Sequence, residues 1–224
     1  MNEKVLIKRK AEVELKIESL AYGGMGIAKK ENFVIFVKNA IPGQTVIARI
    51  YKKKKGYAEA RALKILVESP NVVKPKCNHF YICSKIQNLS YKEQLKEKSN
   101  QVIDAFQRLG GFKDFKLNNV VKGNPIFNYR NKIEFTFSPH RWVLDSEPEG
   151  VSKSFALGLH IPGRYDKILD INNCYIQPEI GNKILKVARE VCLSNPKLKP
   201  YDPKTHIGFL RYLMLRYGVK TGQL

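Results

Sequence analysis

Four cysteines, Cys77, Cys83, Cys174 and Cys192, carry the most reactive side chains of this chain. They are too few to staple 224 residues as a disulfide scaffold, so free thiols or metal ligands fit the count better than bridges. Cys192 ends a helical stripe of Ile180, Ile184, Ala188 and Val191, which makes it a small core residue. His140, His160 and His206 stand alone and read as ordinary structural residues. A second group is cationic: Lys52, Lys53, Lys54 and Lys55 lie between Tyr51 and Tyr57. Four lysines by themselves describe a solvated turn, whereas a cationic loop beside stackable rings is what single-stranded nucleic acid needs. A third is Tyr129-Arg130-Asn131-Lys132, just before the alternating run that begins at Ile133, where Arg130 could pair with a carboxylate at a strand edge. Arg164 and Lys167 come after the turn Pro162-Gly163, and either extend the basic surface or decorate a solvated hairpin tip.

The whole chain shares this bias. Forty Lys and Arg against 20 Asp and Glu give a formal charge of +20, a self-repulsion that a polyanion relieves. RNA or DNA is one such polyanion and an anionic membrane another. The membrane reading has no signal peptide, no apolar run near about 18 residues and no lipidation motif behind it, so the expectation is a cytoplasmic protein. An apolar content of 43% is ample for a packed core.

The elements that must position these residues fall into two parts. Residues 1–69 read as an all-β, OB-like small barrel: Val13-Glu14-Leu15-Lys16-Ile17 alternates, residues 33–37 form a buried apolar run, and residues 45–50 come after the turn Ile41-Pro42-Gly43. Ser69-Pro70 and Pro75 mark a linker to residues 70–224, an α+β domain with an antiparallel sheet. Within it residues 75–111 carry the first two cysteines and a helix. Ser90 and Glu93 form a capping box, Leu95, Val102, Ile103, Phe106 and Leu109 share its apolar face, and Gly110-Gly111 stops it. Its other face, Lys92, Lys96 and Lys98 among Glu93 and Glu97, reads as solvated. Next come strands over 129–138 and 155–160, a loop over 145–154, a helix from Pro178 to about Leu193, and a last strand over 209–217 that lacks a returning arm, as in an excised fragment.

Leu20-Ala21-Tyr22-Gly23-Gly24-Met25-Gly26-Ile27-Ala28, Val37 to Gly43, and Ser69-Pro70 together resemble a TRAM domain, a small RNA-binding barrel. Cys77-Asn78-His79-Phe80, Tyr129-Arg130-Asn131-Lys132, Leu169-Asp170-Ile171 with Cys174, and Leu210-Arg211-Tyr212-Leu213 resemble the central domain of the RNA (uracil-5-)-methyltransferases. The resemblance implies an S-adenosylmethionine-dependent RNA methyltransferase involved in rRNA processing, of the type acting on 23S rRNA, with its catalytic domain outside these residues. It further implies that Arg130, with Lys132, grips a phosphate or an extruded nucleotide. No G-x-G-x-x-G comes after a strand here, so the chain alone is expected to hold no S-adenosylmethionine, to have no catalytic residue and to be inactive, as a monomer bound to RNA. The alternative is a stand-alone, non-catalytic RNA-binding module or degenerate relative.

The family also carries a C-x5-C-x2-C pattern with a distant fourth cysteine, holding a 4Fe-4S cluster. Cys77, Cys83 and Cys174 match three of those ligands, but position 86 is Ile, so one ligand is lacking. Three thiolates could keep a cluster with a substitute such as His79, could bind zinc with it, or could hold no metal.

Overall fold

The strand β1 (Glu12–Lys16) buries Val13 and Leu15 and leaves Glu12, Glu14 and Lys16 in solvent, as its alternation requires. The computed structural model describes residues 7–144 and 147–224; Asp145 and Ser146 of the expected loop, and the first six residues of the expected barrel, lie outside them. Five further strands complete the first sheet: β2 (Ser19–Leu20), β3 (Gly26–Lys30), β4 (Phe33–Lys38), β5 (Thr45–Lys53) and β6 (Tyr57–Val67). Their order is β1-β5-β6-β4-β3-β2, antiparallel except for β4 beside β6.

The sheet closes because its first strand changes partners at a bend. Ile17 N donates to Gln44 O at 2.8 Å on the β5 side, and Glu18 N donates to Ile27 O at 2.8 Å on the β3 side. One continuous segment thus serves both edges, and the barrel has no free edge there. Gly26 sits at this closure, where a Cβ would lie 2.8 Å from Ile17 Cγ2 and 3.0 Å from Ala40 O. Ile17, Ile35, Val37, Val46, Ala48, Ile50, Ala58 and Ala60 fill the interior. The apolar run 33–37 is buried on one face only: Ile35 and Val37 point inward, while Val34 and Phe36 are half-buried on the outside.

The expected linker at Ser69 is a staple. Ser69 is buried, and its hydroxyl donates to Pro42 O at 2.6 Å, tying the barrel exit to the Pro42-Gly43 turn. The chain then makes a short helix α1 (Phe80–Cys83) and the helix α2 (Tyr91–Asp104), which continues through a π-helical turn (Ala105–Leu109). The division into compact units falls between Lys122 and Gly123, and residues 70–122 group with the barrel rather than with residues 123–224. An apolar cluster of Leu20, Ile41, Ile86 and Leu89 spans barrel and segment, and a polar stripe on α2 accompanies it. Gln94, Glu97 and Gln101 share one face of α2; buried Glu97 accepts Leu20 N at 2.7 Å, Gln101 donates to Leu20 O at 3.2 Å, and Gln94 donates to Leu89 O at 2.8 Å. The face holding Glu97 is therefore not simply solvated. The apolar stripe expected to be buried is largely exposed instead, with Val102 at 41%, Phe106 at 45% and Leu109 at 88%. Ser90 is the N-cap residue of α2, but its side chain makes no capping hydrogen bond, so the box read from Ser90 and Glu93 does not form.

The second unit is built on β7 (Lys132–Trp142), β8 (Ser154–Ile161), β9 (Arg164–Asp170) and β10 (Tyr212–Arg216), in the order β10-β7-β8-β9. The neighbours in that order are antiparallel, and Arg141 and Trp142 also pair in parallel with Ile168 and Leu169 of β9. A Cβ on Gly158 would lie 1.9 Å from Leu169 O, so only glycine lets these strands approach. The helix α3 (Glu179–Ser194) buries Leu185 and Cys192, so Cys192 is a buried small residue as expected, while Ile180 and Val191 of the stripe beside it are exposed. One cation fixes the arrangement. Arg189 Nη2 donates to Asp170 Oδ1 at 2.8 Å, Ile171 O at 2.8 Å and Leu157 O at 3.2 Å, with only 14% and 19% of the two charged side chains exposed. Asp170 Oδ1 also accepts Leu157 N at 2.9 Å. Removing the guanidinium would leave a carboxylate and two carbonyls short of a donor. Arg189→Met is expected to destabilise the protein by about 3 kcal/mol, read as a lower urea midpoint at unchanged slope; an unshifted midpoint would refute the clamp.

Candidate nucleic-acid interface

Strands β4, β5 and β6 share an outward face that the barrel's alternation leaves free for side chains other than core. Val34 pairs with Tyr57 and Phe36 with Glu59 across β4 and β6, and Lys52 of β5 pairs with Glu59. Phe36 and Tyr57 meet edge to face at 5.6 Å between centroids. Lys38 Nζ stands 4.9 Å from the Tyr51 ring centre and Lys52 Nζ 6.0 Å from that of Tyr57. The result is a patch of rings and cations on one sheet face, next to the turn that carries the remaining lysines.

The four lysines are not equivalent. Lys52 and Lys53 end β5, and the turn proper is closed by Lys54 N donating to Tyr57 O at 2.8 Å. Lys52 Nζ lies 2.5 Å from Glu59 Oε1, and Tyr51 Oη donates to Glu59 Oε2 at 2.9 Å. The Lys52 hydrogen bond, then that of Tyr51, holds the Glu59 carboxyl below its ordinary range, and Glu59 in turn raises Lys52. Burial, then Glu59, pushes the Tyr51 phenol up. This cluster is charged and fixed at neutral pH. Lys53, Lys54 and Lys55 are exposed and have no ion pair among the described residues. Sequence reasoning found the lysines and Tyr57 but missed Phe36, Lys38 and Glu59, which only the β4–β6 register brings to this patch.

Two of the barrel's loops bear exposed groups as well. The lysine turn joins the fourth and fifth strands of the barrel and residues 21–25 join the first and second, counting β1 and β2 as one; these are the two loops with which barrels of this class hold oligonucleotides. Tyr22, in the second of them, is 95% exposed, and Lys85 Nζ donates to Gly23 O at 3.1 Å beneath it.

In the second unit the Tyr129 to Lys132 motif precedes β7 and is held from behind. Asn128 N donates to Tyr175 O at 2.9 Å and Arg130 N to Ile176 O at 2.8 Å, so the motif is laced to the segment after Cys174. Among the described residues Arg130 pairs with no carboxylate. Its Nε donates to Lys132 O at 2.9 Å, a local bond that leaves the terminal nitrogens of the fork exposed. Lys132 is exposed as well. Arg164, at the start of β9, lies 3.4 Å from Asp166 Oδ1, and Lys167 lies 3.7 Å from the other oxygen of that carboxylate. Both cations of the hairpin tip therefore share one counter-charge.

Cys77 precedes α1 and Cys83 is its last residue; their thiols are adjacent, and the Cys77 thiol, then burial, pushes the Cys83 thiol well above its ordinary range. Gln87 Nε2 donates to Cys77 Sγ at 3.6 Å. Burial lowers the His79 imidazole. Ile86, where the family pattern has a cysteine, packs instead on the core cluster of Leu20, Ile41 and Leu89. Cys174 is buried in the second unit, its N–H donating to Asn182 Oδ1 at 2.9 Å. Among the described residues no three His, Cys, Asp or Glu side chains form a metal site.

Residues 8–63 match the TRAM domain family, a span that includes every residue of the β4–β6 patch. An RNA methyltransferase of Chlorobaculum tepidum is 41% identical over 189 residues, 82% of this chain and 39% of the relative. One of Clostridium tetani is 34% identical over 226 residues, covering all of this chain and 46% of the relative. A crystal structure of the Pyrococcus abyssi tRNA (uracil-54, C5)-methyltransferase in complex with S-adenosyl-L-homocysteine superposes with a TM-score of 0.63 at 25% identity, over 94% of this chain and 44% of that one. Residues 8–63 are a TRAM domain, and the chain is similar over most of its length to RNA methyltransferases. It spans less than half the length of these relatives. No helix among the described residues is long and apolar enough to cross a membrane.

The unequal lysines make a direct test. Each of Lys53→Ala, Lys54→Ala and Lys55→Ala is expected to flatten the dependence of log K on log salt for single-stranded RNA by about 0.7. Lys52→Ala is expected to change it by less than half as much, because Glu59 already neutralises that charge. Fluorescence anisotropy across a salt series reads both values, and four equal effects would show that the Glu59 pair opens when RNA binds.

Proposed function

We propose that this chain is the RNA-recognition portion of an S-adenosylmethionine-dependent RNA uracil-C5 methyltransferase that acts on 23S rRNA in the cytoplasm as a monomer. The observation that carries the reading is the ring-and-cation patch on β4, β5 and β6 within the TRAM match. Bases in single strands stack on exposed rings while lysines track the phosphates, and neither contact demands a sequence. The uracil-C5 assignment draws on the Pyrococcus abyssi structure.

Arg130 supplies a second element of recognition. Its Nε is fixed on Lys132 O, so the exposed pair of terminal nitrogens is pre-oriented for two parallel hydrogen bonds to a phosphate. Lys132 adds charge beside it, and Arg164 extends the basic surface at the β8–β9 tip. The methyl donor belongs to the part of the relatives that this chain does not span, since no glycine-rich strand-to-helix turn is present here to cradle it. A cluster on Cys77, Cys83 and Cys174 has no role in this reading.

Two measurements test the proposal. The chain is expected to bind a single-stranded or loop-containing 23S rRNA fragment more tightly than a transfer RNA, with affinity falling steeply as salt rises; salt-insensitive binding would overturn it. Titration calorimetry with S-adenosylmethionine is expected to show no saturable heat. Micromolar binding would mean that the methyl donor is held by these residues after all.

A further inference from the structure

A cleft of about 620 Å³ opens in the second unit between β7, β9 and residues 199–212. We infer that it is a binding site for unstacked nucleotides of single-stranded RNA, distinct from the barrel patch and from Arg130. The inference rests on the RNA-binding reading above and adds to it a second, base-stacking subsite. The volume lies within the usual range for small-ligand sites and is enough for one or two nucleotides.

The wall of the cleft is rigid. Tyr201 N donates to Leu210 O and Asp202 N to Ile207 O, each at 2.8 Å, so residues 199–212 fold back on themselves as a pinned loop. A Cβ on Gly208 would lie 2.2 Å from Pro200 O, which is why the loop closes on a glycine. The Arg211 guanidinium lies 3.6 Å from the centre of the Tyr201 ring, and Tyr201 Oη is 2.8 Å from His206 Nδ1. Cation and ring therefore form one pre-organised pair, with the His206 imidazole hydrogen-bonded at the edge of the ring and tilted 53° to it. A guanidinium plane accepts a base on its face and a phosphate on its N–H edge.

Exposed rings line the same cleft. Tyr165 is 79% exposed and Tyr212 57% exposed, both on the cleft, and neither is needed to fill the core. The three histidines that looked unremarkable in the sequence all reach this one site and are exposed, with His160 Nε2 3.1 Å from Thr136 Oγ1. Imidazoles and hydroxyls at the rim offer hydrogen bonds to the edge of a base that is not paired. The charge is also of the right sign: Arg211, Lys167 and Lys204 face the cleft against Asp166 and Asp202. Both carboxylates are already committed, Asp166 to Arg164 and Lys167, and Asp202 to Lys204 N at 2.9 Å. Duplex RNA cannot use such a site, because its bases are stacked and paired.

The test uses the full chain with a ten-nucleotide single-stranded RNA and with the same sequence as a duplex. Tyr165→Ala and Arg211→Ala are each expected to weaken single-strand binding by about tenfold, with thermal melting unchanged because both side chains are exposed. The histidine ring resonances of His160 and His206 are expected to shift on adding the single strand to the unaltered protein, a readout that needs no variant. Duplex RNA is expected to leave them in place. If the unaltered protein binds single-stranded RNA but these resonances stay still and both variants bind as it does, the cleft is not an RNA site, while the barrel reading stands. Equal shifts with duplex would overturn base stacking as its basis. No RNA binding at low salt would overturn the reading of the whole chain, and this inference with it.

Discussion

A strand that must serve two edges at once governs the barrel. The segment from Glu12 to Leu20 pairs with β5 through its first half and with β3 through its second, and the exchange takes place over the single peptide between Ile17 and Glu18. Only a tightly packed bend permits it, which is why Gly26 lies against Ile17 and why Ile17 is itself almost fully buried. Closure decides which residues face inward on every other strand, since a shift of one residue would reverse each face. The outward row of Phe36, Lys38, Tyr51, Tyr57 and Glu59 is a consequence of that constraint. Its composition then makes it suited to RNA.

Counter-charges within this patch temper its basicity. Glu59 is the one acid among several cations, and it takes both the Lys52 ammonium and the Tyr51 hydroxyl. Such a pair in partial solvent contributes little stability. Its larger effect is geometric: it holds Tyr51 and Lys52 in place, while Lys53, Lys54 and Lys55 stay exposed with no ion pair among the described residues. Held rings beside unpaired cations suit a ligand whose bases stack and whose phosphates carry charge.

Polar anchoring joins the small apolar cluster of Leu20, Ile41, Ile86 and Leu89 in attaching the segment after the barrel. Glu97 meets the Leu20 N–H in a buried setting, Gln101 donates to the Leu20 carbonyl at the end of β2, and Gln94 donates to the Leu89 carbonyl before α2. Each bond satisfies a backbone group that burial would otherwise leave unpaired. The same logic operates in the second unit, where Arg189 satisfies a carboxylate and two carbonyls. In both places a long polar side chain replaces the backbone partner that irregular chain cannot supply.

The amino-acid sequence by itself determined the elements whose signal is local. The alternation of β1, the strand at 154–161, the helix from Glu179 and the core placement of Cys192 were all legible, because a period of two or of 3.6 is a property of neighbouring residues. So were the net charge and the lysine turn. Tertiary structure alone decided the rest. It placed the compact boundary at Lys122 rather than after residue 69, turned the Glu97 face of α2 inward and its apolar stripe outward, and left the capping box unformed. It also gave Lys52 a partner seven residues away and gathered His140, His160 and His206 around one cleft. These outcomes depend on strand register and on which backbone groups are left unpaired when elements meet. Neither quantity is written in local spacing, so a residue's type could be read in advance and its partner could not.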